Sequence, residues 1–185
     1  MKARMLLVCC SLIMCACRGD TSSDTPHPVS MTEDALGHYC QMNLSEHPGP
    51  KAQVHLAGLA APLFFAQVRD AIAYQRMPEQ SHAIRAIYVS DMAKADSWSK
   101  PGIDNWAPAE DALYVVGSRV AGGMGAAELI PFGDPAAAEK FIRANGGTLL
   151  RLSQIPDTMI LAPVEMAVDK DGNFTAPIDN ANTQH

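Results

Sequence analysis

The chain has 185 residues, a formal charge of −6 at pH 7, 48% hydrophobic residues, ten methionines and five cysteines. That length allows one domain, or two small ones, with a real apolar core. The acidity excludes a nucleic-acid-binding surface, which needs a basic footprint, and there is no phosphate loop, dinucleotide glycine fingerprint or Gly-x-Ser-x-Gly elbow.

In chain order, the first residues read as export machinery rather than fold. Lys2 and Arg4 precede an apolar run over residues 5–14 that is too short to span a bilayer but suits a secretory signal. The run ends in Ile13-Met14-Cys15-Ala16-Cys17, which resembles a bacterial lipobox with residues 1–16 as the signal and Cys17 as the lipidated residue. An ordinary signal cut by another peptidase is the alternative. Cleavage removes Cys9, Cys10 and Cys15, and lipidation consumes the sulfur of Cys17, so Cys40 is left as the only thiol. Exported proteins usually pair their cysteines, so a lone thiol there calls for an intermolecular, reactive or ligating role. Loss of Lys2 and Arg4 makes the mature chain still more acidic, so membrane attachment must come from acyl chains and not from the protein surface. Arg18, in place of Asp after the lipidated cysteine, favours the outer membrane, with the protein facing the periplasm.

Residues 17–34 are polar, interrupted by Pro26 and Pro28, and read as a flexible tether. The folded part is expected from residue 35. The alternation in Ala52–Leu56 predicts a strand, and the spacing over 63–74 predicts a helix stopped by Pro78. Residues 83–89 predict a second strand, followed by a long polar connection over 90–108 that holds Trp98 and Trp106. The second half repeats the pattern, with a strand at 112–116, a glycine-rich turn Gly122-Gly123-Met124-Gly125 and a strand at 128–132. A helix over 136–144 is announced by Asp134 and Pro135 and closed by Asn145-Gly146-Gly147, before a last strand at 148–155. Each half reads strand, strand, helix, strand. The fold class is therefore α+β, with a first unit over 35–108, a second over 109–166 and a disordered polar tail over 167–185.

Chemistry concentrates at Cys40-Gln41-Met42. If this stretch is extended, residues two apart share a face, so the thiol and thioether meet one ion, and His38 falls on that face as well. Thiolate and thioether are soft donors that select Cu(I) over hard cations. The bland alternative is a small buried Cys beside a gap-filling Met. Met124, among three glycines, is either an exposed ligand arm or loop packing. His47 and His55 lack the spaced partners that mark a zinc site. Cys40 acting as a nucleophile in a thiol-dependent enzyme is a competing reading, and a metal-free interaction module is a third.

With these residues in hand, the chain resembles the NosL family of copper-binding lipoproteins that accompany nitrous oxide reductase. The matching pieces are the lipobox, Cys40-Gln41-Met42, Ile87-Tyr88-Val89-Ser90-Asp91, Tyr114-Val115-Val116-Gly117-Ser118, Gly123-Met124-Gly125, Pro131-Phe132 and Phe141 with Gly146-Gly147, in that order. The resemblance implies a tandem pair of ββαβ units and a Cu(I) site made by Cys40, Met42 and Met124. It implies delivery rather than catalysis, with nitrous oxide reductase and its ABC-transporter maturation complex as partners. Many family members carry Gly where this chain has Gln41.

Overall fold

The computed structural model describes residues 25–163 except Ser81, together with 167–168, 170 and 174–175. The signal sequence over 1–16 and the lipidation site Cys17 lie outside the described residues.

Two antiparallel sheets carry the fold. The first unit runs β1 (Ala52–Leu56), β2 (Leu63–Phe65), α1 (Val68–Arg76) and β3 (Ile84–Ser90), and β4 (Trp106–Pro108) extends its sheet to the order β2-β1-β3-β4. The second unit runs β5 (Leu113–Val116), β6 (Ile130–Phe132), α2 (Pro135–Asn145) and β7 (Thr148–Arg151), in the order β6-β5-β7. In both, the first strand is central, the second pairs on one side, and the strand after the helix returns on the other. The mixed α+β class is as expected.

Several boundaries differ from the sequence expectation. The helix expected over 63–74 starts only at Val68, because Leu63–Phe65 pair with β1 in the register Ala52↔Phe65 and Val54↔Leu63. β4 lies inside the stretch expected as polar connection, held by Val89↔Ala107 pairing. The final strand ends at Arg151 and gives way to a 3-10 turn (Leu152–Gln154) and a short helix α3 (Asp157–Leu161). Arg76 draws this end onto α1 by donating to the carbonyls of Ile155 (2.7 Å) and Leu152 (2.9 Å) and pairing with Asp157. In the expected disordered tail, Ala167–Val168 and Phe174–Thr175 form the short antiparallel pair β8 and β9.

The expected flexible tether is also corrected. Its part over 26–31 is docked against the first sheet by specific hydrogen bonds. The Gln53 side chain accepts from Val29 N (2.9 Å) and donates to Val29 O (3.0 Å), imitating a neighbouring strand. Tyr88 donates to Pro26 O (2.7 Å), and Met31 N donates to Ile103 O (3.0 Å). This strap explains why every residue of β1 is buried although Gln53 and His55 alternate with apolar neighbours. Polar groups can be buried when fully paired, and His55 Nε2 meets Gln53 Oε1 at 2.8 Å.

One apolar core serves both units. Val54, Phe65, Val68, Ile72 and Val89 pack with Tyr114, Val116, Leu129, Leu152 and Ile160. β5 is buried on both faces, because Val115 points the other way into a cluster with Ile130, Phe132 and Ala138 of α2. Asp134 caps α2 by accepting from Ala136 N, and Gly146 ends it with φ +74. The cap of α1 is different. Gln67 at its N-cap makes no capping bond; instead the Glu128 carboxylate, from the second half, accepts from Val68 N (3.3 Å) and Arg69 N (2.9 Å). Carboxyl oxygens at a helix N-terminus satisfy amides that have no partner within the helix. Here they also bind one unit to the other.

Candidate metal centre

Cys40 does not sit on a strand. Residues 36–43 form a tight closed turn, with Leu36 bridged to Asn43, Gly37 N donating to Met42 O (3.0 Å) and Gln41 N donating to Gly37 O (2.8 Å). His38 N donates to Phe64 O (2.6 Å), which fastens the turn to β2. Gln41 has φ +54, the only positive φ outside glycine among the described residues. A left-handed residue reverses the chain, so Cys40 and Met42 are not on one face as an extended reading requires. Glycine would adopt this left-handed backbone without strain. Gln41 offsets the strain with its own amide, which donates to His38 O (2.7 Å) and Gly37 O (3.3 Å).

Tertiary packing sorts the sulfurs. Cys40 and Met124 both pack against the small cluster of Met31, Ala35, Leu44 and Ala66, together with Phe64 and Trp106. Cys40 is half-buried and is the free thiol of the described chain. Its Sγ lies so close over Gly37 that a Cβ there would stand 2.5 Å from it. Met42 is 39% exposed and stays on the solvent side of the turn. Cys40 and Met124, 84 positions apart in sequence, thus pack against the same small cluster.

The histidines divide. The His38 ring packs edge-on against Phe65 and Tyr74 and tilted on Tyr39, at 5.4–5.7 Å between centroids. His55 is occupied beneath the strap by Gln53 and Tyr88. His47, which lacks a spaced partner in the sequence, has a buried Nε2 that makes no hydrogen bond, and its Cβ lies where a Cβ on Gly123 would press at 3.1 Å. The sequence held a weak signal for it, a histidine beside Pro48-Gly49-Pro50. Among the described residues, no three His, Cys, Asp or Glu side chains converge to hold a metal. The donors packed against the shared cluster, a thiol and a thioether, are soft.

Two buried titratable groups, Lys51 and Glu128, accompany the site. Lys51 is 1% exposed and donates from Nζ to the carbonyls of His47 (2.8 Å), Pro48 (3.2 Å) and Gly49 (2.7 Å). Burial pushes its ammonium down to about 8, against the opposing pull of Glu128 and Cys40. Burial likewise pushes the Glu128 carboxyl up to about 8, although the amides of Arg69 and Leu129 favour its charged form.

A thiol and a thioether packed against one cluster of an α+β fold are soft donors, the donor chemistry that suits a soft metal ion. Comparison with known proteins makes the assignment specific. The NosL family model matches residues 28–160, and the chain belongs to the NosL family. It is 52% identical over 166 residues to the copper-binding lipoprotein NosL of Achromobacter cycloclastes, covering 89% of this chain and 86% of the relative. It is 29% identical over 140 residues to the copper-binding lipoprotein NosL of Stutzerimonas stutzeri, covering 75% and 71%. The crystal structure of the copper chaperone NosL from Shewanella denitrificans superposes with a TM-score of 0.65 at 30% identity, covering 71% of this chain and 97% of that one. These relatives bear the names of copper-binding proteins and a copper chaperone, not of enzymes.

Proposed function

We propose that this chain is a lipid-anchored Cu(I) carrier that supplies copper for the maturation of nitrous oxide reductase. The observation that carries the reading is the packing of Cys40 and Met124 against one apolar cluster, with Met42 partly exposed two residues from Cys40. Cys40 is the anionic donor, and its proton leaves as copper binds. Met124 is a neutral thioether presented by the glycine-rich loop. Met42, on the exposed side of the closed turn, is the third sulfur and the one nearest to an incoming acceptor. Soft ligands retain Cu(I) selectively, and few ligands leave a position open for exchange. Transfer then needs no redox step, because a donor from the acceptor replaces one sulfur at a time.

The anchor at Cys17, a periplasmic site facing from the outer membrane, and the nitrous oxide reductase assembly with its ABC transporter as acceptor complete this proposal. The lipoprotein names of the relatives support the anchor. The thiol-enzyme reading of Cys40 has no support in the relatives or in the site.

An anaerobic competition titration with a chromogenic Cu(I) chelator tests the reading. The wild-type chain should bind one Cu(I), Cys40→Ser should abolish binding, and Met124→Leu and Met42→Leu should weaken it. Unchanged affinity in Cys40→Ser refutes the site, and absence of Cu(I) binding by the wild type leaves the metal-free module standing instead.

A further inference from the structure

Lys51 carries a buried ammonium that the copper chemistry described above does not use. Burying a cation costs several kcal/mol unless hydrogen bonds replace its water. Here three successive carbonyls replace it, those of His47, Pro48 and Gly49. Among the described residues, no carboxylate pairs with it at ion-pair distance; Glu128 and Cys40 act on it only through longer-range charge.

The clamped loop touches both halves of the sulfur site. On one side, His47 N donates to Leu44 O (3.3 Å), closing the 3-10 turn Leu44–Glu46 that follows the Cys40 turn directly. Leu44 is fully buried in the cluster against which Cys40 packs. On the other side, the Pro48 carbonyl oxygen occupies the space that a Cβ on Gly123 would need, and Met124 is the next residue. Gly122 is held equally closely on its far flank by the Gln67 amide and Glu128. The ammonium itself has a fixed base. Lys51 N donates to Ser90 Oγ (3.0 Å) and Ser90 N donates to Lys51 O (2.9 Å), so its backbone is tied to the end of β3.

We propose that Lys51 is a positioning residue of the copper site, holding the 47–49 loop so that the Gly123 backbone, and with it Met124, is kept beside Cys40. This rests on the assignment of Cys40 and Met124 as ligands. Lys51 acts through the Pro48 carbonyl, to which its Nζ donates.

The test uses the full chain, anaerobic Cu(I) competition and copper K-edge X-ray absorption. Lys51→Met keeps the aliphatic stem and removes the three donors. It should lower Cu(I) affinity about tenfold and remove one sulfur from the copper shell, as Met124→Leu does; the double variant should bind no more weakly than either single one, since both remove the same ligand. A purely structural lysine would lower the urea midpoint of the apo protein and leave the sulfur count unchanged. That result, or fully additive losses in the double variant, overturns the proposal. Should Lys51→Met fail to fold, Gly123→Ala displaces the same Pro48 contact from the other side and must give the same loss of one sulfur. Wild-type affinity in Met124→Leu would instead overturn the ligand assignment, and the role of Lys51 with it.

Discussion

Glu128 ties the second half to the first, and its protonation should set the pH dependence of stability. The carboxyl is fully buried, and burial raises it from 4.5 to about 8. Between those values the unfolded chain has lost the proton while the folded chain keeps it, so stability falls as pH rises. Each pH unit in the window contributes up to about 1.4 kcal/mol, a few kcal/mol in all. Lys51 acts in the opposite sense above it. Its ammonium is lowered from 10.5 to about 8, so beyond pH 8 the folded chain releases a proton that the unfolded chain retains, and stability recovers. His55 is lowered by burial and contributes a rise through the range just below 6.5, while Asp70, raised by burial, adds to the fall. The difference between wild type and Glu128→Gln removes contributions common to both. The glutamine keeps an oxygen for Arg69 N and Leu129 N but turns a donor towards Val68 N, costing about 1–3 kcal/mol where the wild-type carboxyl is protonated. Urea unfolding from pH 5 to 8 should therefore show a wild-type advantage at pH 5 that shrinks steadily towards pH 8. Parallel curves across that range would refute the reasoning.

Two further substitutions test the parts that frame the site. Gln41→Gly removes the left-handed strain of about 1–2 kcal/mol but also two side-chain hydrogen bonds of about 0.5–1.5 kcal/mol each. The terms nearly cancel, so thermal unfolding should shift little, and a loss above about 3 kcal/mol would show that the amide dominates the turn. Gln53→Leu leaves the strap without its paired bonds at Val29, so the Val29 amide should exchange at least about tenfold faster by hydrogen-exchange NMR. Unchanged protection there would mean that Pro26 and Met31 hold the strap alone.

The local signals were legible where local physics decides. The Asp134-Pro135 start and the glycine end of α2 were read directly, because caps and left-handed stops depend on a few adjacent residues. β1, β3 and β5 were found from their runs of apolar or alternating residues. β2 was mistaken for the start of a helix, because Leu63-Phe64-Phe65 fits either period and only pairing with β1 settles it. The strap over 26–31 has the composition of a linker; what holds it is the buried Gln53 amide, supplied from 24 positions away.

The site follows the same division. Residue identity alone offered soft donors, since a thiol and thioethers have a restricted chemistry, and Cys40, Met42 and Met124 are its candidates. Their arrangement was another matter. Cys40 and Met42 are separated by the left-handed Gln41, so the nearest pair in sequence does not share a face. Cys40 and Met124 share one cluster in a fold whose two ββαβ units pack over a common core. Ligand type is a property of the side chain; ligand proximity depends on long-range packing that no local spacing encodes.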